Sequence, residues 1–428
     1  MRVNLLAVIA GTIVGVIGSA FFLHRSRLRS AVGDRPPRRG RSGSRWAIGA
    51  IAGAGLVGGA AEMARRFAPE AAGSGIQEIE GTLAGLRPPL RWWRIVPVKF
   101  VGGVMAMAAG MILGREGPTI QIGGAVGAAI GGRWGSDEYD YKTLIAAASG
   151  AGLAVAFNAP LGGILFVVEE LRDKFSITPI ALNGVVVATL AATETGILIL
   201  NPGRLLPITV FEAATWRDLA LAVPFAAVVG AYGAAFNALI PRAQDMLRAL
   251  AQRIGLLPVA MTIGGAIGVL LSLLPDATGG GEGLALQLLA QPPALSMLLV
   301  LLALRTMIFP VCYASGTPGG IFAPQLAVGA LLGLLFSGAL AAVLPGMTSG
   351  PGIFAVAGMA GLLAATVGAP LTGAMLVAEM SGNYLLLPMM LVVAAVASVV
   401  AGSLGCRPIY DVLLERTLRS PAPVKVEP

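Results

Sequence analysis

The chain has 428 residues, of which 56% are hydrophobic and only 12% are charged, and its mean hydropathy is +0.81. A soluble globular protein carries about 25% charged residues, so this composition excludes a soluble enzyme, a nucleic-acid-binding protein and a disordered chain. The net charge of +8 comes mostly from arginines outside the apolar segments, which is typical of contact with lipid headgroups. Two cysteines and one histidine argue against a disulfide framework and against a Cys/His metal site, so we expect no bound metal.

Apolar segments long enough to cross a bilayer follow one another along the chain. A spanning helix needs about 20 apolar residues, and the run 306–378 carries no charge over more than three times that length, so its Gly- and Pro-rich breaks must turn it back. We predict roughly ten or more helices, several of them too short to span. Residues 1–23 are interpreted as a helix and not as a signal peptide, because the apolar stretch is too long. The other charge-free runs of spanning length are 3–23, 219–241, 254–275, 283–304 and 380–406.

A set of motifs rich in glycine occurs twice, in the same order. The copies are separated by nearly the same offset, close to half the length of the chain, and such a near-constant offset indicates an internal duplication. We therefore predict two transporter-like membrane repeats, residues 1–203 and 204–428, with broken helices meeting near the bilayer centre. Because the chain ends at Pro428, soon after Tyr410, we expect a short C-terminal tail and no cytoplasmic regulatory domain. The matched motifs are Gly73–Gly75 with Gly279–Gly281, Gly114 with Gly319, and Ala159–Gly163 with Ala369–Gly373.

Two of these motifs are suited to binding an anion. Glycines let the backbone approach a ligand closely, and a helix N-terminus presents unpaired N–H groups with partial positive charge. Ser74, in Gly73–Gly81, adds a hydroxyl donor at such a helix start, and the uncharged segment Gly316–Pro324 offers N–H groups after Gly319 and Gly320. Donors without a full positive charge bind an anion weakly enough to release it. Taken alone, Ser74 is explained more simply as a helix N-cap, and the second segment equally well as a structural loop.

Glu116 lies between two apolar segments, within Gly114–Pro118. Charged residues at membrane depth are costly and face a protein interior or a watery cavity, and Pro118 fits the first turn of a new helix. We therefore place Glu116 at a break between two half-helices. There its carboxylate competes with a free anion for N–H donors until protonation neutralises it. The alternative is an Arg–Glu pair on a turn at the membrane surface.

Two adjacent acids, Glu169 and Glu170, close another apolar run. Neighbouring side chains on a helix point about 100° apart, so one acid can face a cavity and carry protons while the other is structural. Glu169 is matched by Glu379 in the second repeat, whereas Glu170 is matched by Met380. The repeated acid is therefore the structural candidate and Glu170 the functional one. A solvated helix end is the alternative for both.

The order of these motifs, which ends with Tyr410, carries a resemblance to a known family. On its own, the Tyr410 phenol can donate one hydrogen bond to an anion or lie at the membrane interface, the commoner role of tyrosine. Together with the Ser74, Glu116 and Gly316–Pro324 motifs it resembles the CLC family of chloride channels and chloride/proton antiporters. The similarity is greatest to the bacterial antiporters and extends over residues 3–415. Further similar segments are Ala68–Gly81, Arg91–Phe100 and Phe157–Pro160.

The resemblance implies a fold, an assembly and a chloride site. It implies an all-α polytopic membrane protein with two inverted-topology repeats, which forms a homodimer with one anion pathway per subunit in the lipid bilayer of a bacterial inner membrane. Ser74 and Tyr410 correspond to the hydroxyls that coordinate chloride. Ile321 and Phe322 correspond to the backbone N–H donors of the same ion.

The two glutamates decide between two transport functions. By resemblance, Glu116 corresponds to the external gating glutamate that also carries the proton, and Glu170 to the internal proton-transfer glutamate. Exchange of chloride for protons is the leading hypothesis, since channels of the family usually lack an acid at the position of Glu170; a passive chloride channel is the alternative. Ser74 and Tyr410 resemble the chloride pattern of the family, which disfavours a fluoride exporter. Serine and not proline at position 74 disfavours a preference for nitrate. We expect no cofactor, no nucleic-acid partner and no enzymatic activity, because a nucleophile–base pair and metal ligands are lacking.

Two segments depart from the family pattern. Gln77 stands where the family usually has proline after Gly-Ser-Gly-Ile, and its effect on the inner gate is left open. Residues 24–45 contain eight arginines and one acid, Asp34, so the positive-inside rule places this loop in the cytoplasm. The family topology, with cytoplasmic termini, places it outside, and we follow the family topology.

Overall fold

The computed structural model describes residues 2–33, 42–200, 213–346 and 350–419. These ranges form 17 α-helices and three short 3-10 helices, without a β-sheet. Eight of the described helices are long and apolar enough to cross a membrane, as a polytopic membrane protein requires. The α-helices are α1 (Arg2–Gly33), α2 (Ser42–Phe67), α3 (Ile76–Leu83), α4 (Trp92–Ala108), α5 (Glu116–Trp134), α6 (Glu138–Phe157), α7 (Pro160–Glu170), α8 (Pro179–Leu200), α9 (Trp216–Ile254), α10 (Leu256–Leu273), α11 (Glu282–Ala290), α12 (Leu295–Tyr313), α13 (Phe322–Val343), α14 (Pro351–Val367), α15 (Pro370–Ser381), α16 (Leu387–Ser403) and α17 (Ile409–Arg419).

The helix order is the same in the two halves of the chain. Helices α1–α8 of the first half correspond, in the same order along the chain, to α9–α16 of the second. In each half a 3-10 helix separates the second α-helix from the third, at Pro69–Ala71 and at Pro275–Ala277. Helices α5 and α13, which begin at Glu116 and Phe322, are each the fifth α-helix of their half. Among the described α-helices only α17 lacks a counterpart, and the third 3-10 helix, at Tyr384–Leu386, lies in the second half alone. The boundary that we predict after residue 203 lies between α8 and α9, in 201–212, outside the described residues, and stays a prediction.

Stripes of glycine bring neighbouring helices into close contact at equivalent places in both halves. On α5, Gly123 and Gly127 face α6 so closely that a Cβ atom on either would overlap a backbone carbonyl oxygen of α6. On α13, Gly329 and Gly333 occupy the equivalent positions and face α14 in the same way. Small residues permit this approach of two backbones inside a membrane. The packing accounts for glycine at these four positions and holds α5 against α6 and α13 against α14.

The arginine-rich segment 24–45, which we treat as a loop, is helical at both ends. Helix α1 continues to Gly33 and α2 begins at Ser42, so the connection is shorter than the charge pattern alone suggests. Residues 34–41 lie outside the described residues. Helix α9 likewise extends well past the apolar run 219–241, to Ile254.

Candidate functional site

Three glycine-rich loops are joined by backbone hydrogen bonds at the centre of the molecule. The N–H of Gly114 donates to the carbonyl of Gly320 (2.9 Å) and the N–H of Gly320 donates back (2.7 Å). On the other side, Gly73 donates to Thr317 (3.0 Å) and Gly319 donates to Gly73 (2.9 Å). The loops precede α5, α13 and α3, so the N-termini of three helices converge. Convergent helix N-termini form a region of positive potential with free N–H groups, which favours an anion.

Glu116 places its carboxylate at this convergence. Its Oε1 accepts hydrogen bonds from the N–H groups of Phe322 (2.7 Å) and Ala323 (3.2 Å), and the side chain is fully buried. Its Oε2 is also buried and has no hydrogen-bond partner among the described residues. A Cβ atom on Gly320 would overlap Oε1, so glycine is required there to admit the carboxylate. The first residue of α5 is thus bound by the first two residues of the equivalent helix α13.

The donors that hold Glu116 overlap only in part with those that the resemblance implies for chloride. Phe322 is common to both sets, whereas Ala323 is an additional donor. Ile321 is the N-cap of α13 and is not one of the two residues that bind the carboxylate. Sequence reasoning could not separate these N–H groups, because backbone donors leave no side-chain signature.

Ser74 and Tyr410 come together beside the same helix starts. Both are fully buried, and their hydroxyls are neighbours, although neither hydroxyl oxygen has a hydrogen-bond partner in the described part of the chain. The Ser74 hydroxyl lies 2.7 Å from the position that a Cβ atom on Gly117 would take, next to Glu116. The Tyr410 ring faces Phe322, with ring centroids 6.1 Å apart. Two unpaired hydroxyls and the Glu116 carboxylate therefore border one small buried region.

Glu170 is the last residue of α7 and faces an acid that sequence reasoning missed. Glu80 of α3 is buried and lies against Glu170. Lys174 and Asp411 are within electrostatic range of the pair and bond to each other at 2.8 Å. The sequence does show two acids, Glu78 and Glu80, shortly after Ser74, and they could have drawn attention to this segment. The contact of Glu80 with Glu170, however, depends on the tertiary fold.

Two buried cations, Lys99 and Arg305, were also missed. The Lys99 ammonium donates to the carbonyls of Ala71 (3.0 Å) and Gly73 (2.7 Å) and is completely buried. The Arg305 guanidinium, at the equivalent position of the second half, donates to carbonyls in the segment 276–279. Each cation therefore fixes the glycine loop before a short helix. Their matching positions in the two halves, in otherwise apolar sequence, could have revealed them.

A cavity of about 820 Å³ borders the loop that contains Ser74. Four arginines and two glutamates line it. Three of the four arginines are in ion pairs, Arg87 with Glu78, Arg91 with Glu70 and Arg416 with Asp245. Gln77 forms part of the wall and is 8% exposed, so this departure from the family pattern lies where the cavity meets the start of α3. The charged lining residues are Glu70, Glu78, Arg87, Arg91, Arg248 and Arg416.

Comparison with known proteins finds the same architecture and similar sequences. A family model described as "Voltage gated chloride channel" matches residues 53–402. The chain is 40% identical to the H(+)/Cl(-) exchange transporter ClcA of Vibrio parahaemolyticus over 429 residues, which cover 98% of this chain and 90% of that protein. It is 44% identical to ClcA of Vibrio cholerae over 362 residues, 84% of this chain and 77% of that protein.

Solved structures agree with this similarity. A slow cyanobacterial Cl-/H+ antiporter superposes with a TM-score of 0.91 at 34% identity, over 98% of both chains. A eukaryotic CLC transporter gives a TM-score of 0.81 at 20% identity over 97% of this chain and 74% of that chain. A CLC-type fluoride/proton antiporter gives 0.78 at 19% identity over 95% of this chain and 96% of that chain. The last two matches show that the fold is shared.

Proposed function

Because this chain belongs to the voltage-gated chloride channel family, also called CLC, we propose that it is a membrane transporter that exchanges chloride for protons. Relatives that are 40% and 44% identical are named as H(+)/Cl(-) exchange transporters, and a structure that superposes at 34% identity is a Cl-/H+ antiporter. The observation that supports the proposal most directly is the Glu116 carboxylate, an anion that is held by two N–H donors at the convergence of three helix starts.

Control of chloride binding by protons follows from competition for these donors. Chloride and the Glu116 carboxylate are both anions, so they cannot both bind the N–H groups of Phe322 and its neighbours without strong repulsion. Protonation removes the negative charge of Glu116, releases it from the donors and lets chloride bind between them and the hydroxyls of Ser74 and Tyr410. Chloride binding at these donors is therefore linked to protonation of Glu116. The donors are neutral, so chloride can leave again.

A second acid distinguishes an exchanger from a passive channel. Glu116 blocks or opens an anion path in either case, whereas an exchanger must also deliver protons to Glu116 by a route that chloride does not use. The pair formed by Glu170, at the end of α7, and Glu80, on α3, lies beside the partly exposed ion pair of Lys174 and Asp411. We assign this pair to proton transfer from the cytoplasm, and this assignment favours exchange.

Reconstitution into liposomes tests the proposed function. A chloride gradient should drive protons uphill, and the pH change should vanish in vesicles without protein. Chloride flux without uphill proton movement would support the channel alternative instead. We further propose, from the family resemblance, a homodimer with one pathway per subunit in a bacterial inner membrane and no cofactor beyond the transported chloride. Light scattering of the detergent-solubilised protein tests the dimer.

A further inference from the structure

Tyr313, the last residue of α12, places its hydroxyl against the loop of Ser74. Its phenol oxygen accepts a hydrogen bond from the backbone N–H of Ser74 (3.3 Å) and lies 3.1 Å from the position that a Cβ atom on Gly73 would take. The side chain is 3% exposed and lines the cavity beside the Ser74 loop. The phenol therefore lies where an anion from the cavity reaches the loop of Ser74.

An aromatic row fixes the position of the Tyr313 ring. The rings of Tyr232, Phe236, Phe309 and Tyr313 follow one another, with centroid distances of 6.1, 5.3 and 6.1 Å. Offset and tilted aromatic contacts of this kind stabilise ring orientation. Packing therefore requires an aromatic ring at 313, and a phenylalanine would satisfy the same contacts. The hydroxyl is an additional feature that the packing does not explain.

The hydrogen-bond pattern leaves the phenol proton available for a ligand. A phenol has one O–H donor and can also accept, and Tyr313 accepts from Ser74. No described residue accepts a hydrogen bond from the Tyr313 hydroxyl. A hydroxyl that accepts one hydrogen bond becomes a better donor, because hydrogen bonds in a chain polarise one another. This donor is buried, oriented and next to Ser74.

We propose that the Tyr313 hydroxyl donates a hydrogen bond to chloride as it passes between the cavity and the Ser74–Tyr410 position, and that it contributes to anion selectivity. The inference rests on the proposed transport of chloride. Hydrogen bonds to a charged partner are stronger than neutral ones, and they favour a compact anion with concentrated charge over a large anion with dispersed charge. Tyr313 should therefore favour chloride over thiocyanate.

Tyr313→Phe tests the proposal because it removes the hydroxyl and keeps the ring. The matched control is Tyr232→Phe, at the other end of the aromatic row, where the phenol pairs with Thr306 away from the cavity lining. Chloride binding is measured by calorimetry on the purified proteins, and chloride and thiocyanate fluxes are measured in liposomes. Gel filtration establishes that each variant is folded.

We expect Tyr313→Phe to weaken chloride binding roughly 10- to 100-fold and to reduce the chloride-to-thiocyanate flux ratio, with Tyr232→Phe unchanged. Wild-type affinity and selectivity in folded Tyr313→Phe would overturn this inference and leave chloride transport intact. Equal losses in both variants would also overturn it, because they would indicate a general effect of phenol removal on the row. Absence of chloride binding and flux in the wild-type protein would instead overturn the proposed function.

Discussion

Glu169 and Glu379 cap each other's helices. The Glu169 carboxylate, at the end of α7, accepts hydrogen bonds from the N–H groups of Leu371 (3.0 Å) and Thr372 (2.6 Å) in the first turn of α15. The Glu379 carboxylate, near the end of α15, accepts from two N–H groups in the first turn of α7 (3.0 and 2.7 Å). These reciprocal hydrogen bonds hold α7 and α15, two equivalent helices of the two halves, antiparallel to each other, as an inverted repeat requires. It gives the repeated acid a structural role.

Glu169→Gln should therefore lower the thermal stability of the protein and have little effect on the coupling of proton transport to chloride transport. The change removes the charge of a carboxylate that binds two N–H groups and a hydroxyl, and charge-assisted bonds of this kind stabilise a fold by about 1.5–3 kcal/mol each. Thermal unfolding in detergent should occur at a lower temperature, with a similar shift for Glu379→Gln and none for the exposed Glu138→Gln. A large loss of proton coupling at unchanged stability would contradict the structural role.

Glu116→Gln should abolish proton transport while chloride flux persists. Glutamine has nearly the shape of protonated glutamate, but it cannot release a proton and lacks the negative charge that competes with chloride for the N–H donors of Phe322 and Ala323. Proton and chloride fluxes measured on the same liposomes test this, and proton movement should fall at least about tenfold. Normally coupled proton flux in the variant would rule out the gating role.

Removal of the hydroxyls at Ser74 and Tyr410 should weaken chloride binding. Because the Tyr410 ring is fully buried against Phe322, Tyr410→Phe keeps the packing and removes only the donor. Each hydrogen bond to a charged ligand contributes about 1.5–3 kcal/mol, so Ser74→Ala combined with Tyr410→Phe should weaken binding by at least about a hundredfold. Calorimetry on the purified variants provides the measurement. Unchanged chloride affinity in the double variant would show that these hydroxyls do not coordinate the ion.

The sequence located features with a side-chain signature and missed those that depend on tertiary contact. Glu116 was recognisable as a charge between apolar segments, and the duplication was visible in the glycine motifs, which the order of α1–α16 repeats. The Ala323 donor could not be found, because every residue after a helix start has a similar N–H group. The contact of Glu80 with Glu170 joins residues far apart in sequence, so no local pattern predicts it.

Lys99→Met should weaken chloride binding, whereas Arg305→Met should not. Methionine has a similar length to lysine but removes the charge and the two hydrogen bonds to the loop of Ser74. The Arg305 side chain fixes the equivalent loop of the second half, which carries none of the proposed chloride ligands. Calorimetry should give about a tenfold weaker affinity for Lys99→Met, equal to about 1.4 kcal/mol. Equal affinities in the two variants would mean that the Lys99 side chain does not support the chloride site through the loop of Ser74.

Glu170→Gln should separate proton transport from chloride transport. An exchanger must load protons by a route off the anion path, and Glu170, which faces Glu80 beside the ion pair of Lys174 and Asp411, is placed for this transfer. Glutamine keeps the size of the side chain and cannot carry a proton, so we expect chloride flux to continue while proton movement falls at least about tenfold. Glu169→Gln is the matched control, one residue away, and should remain coupled. Both fluxes are measured on the same liposomes, and a fully coupled Glu170→Gln variant would exclude Glu170 from the proton route.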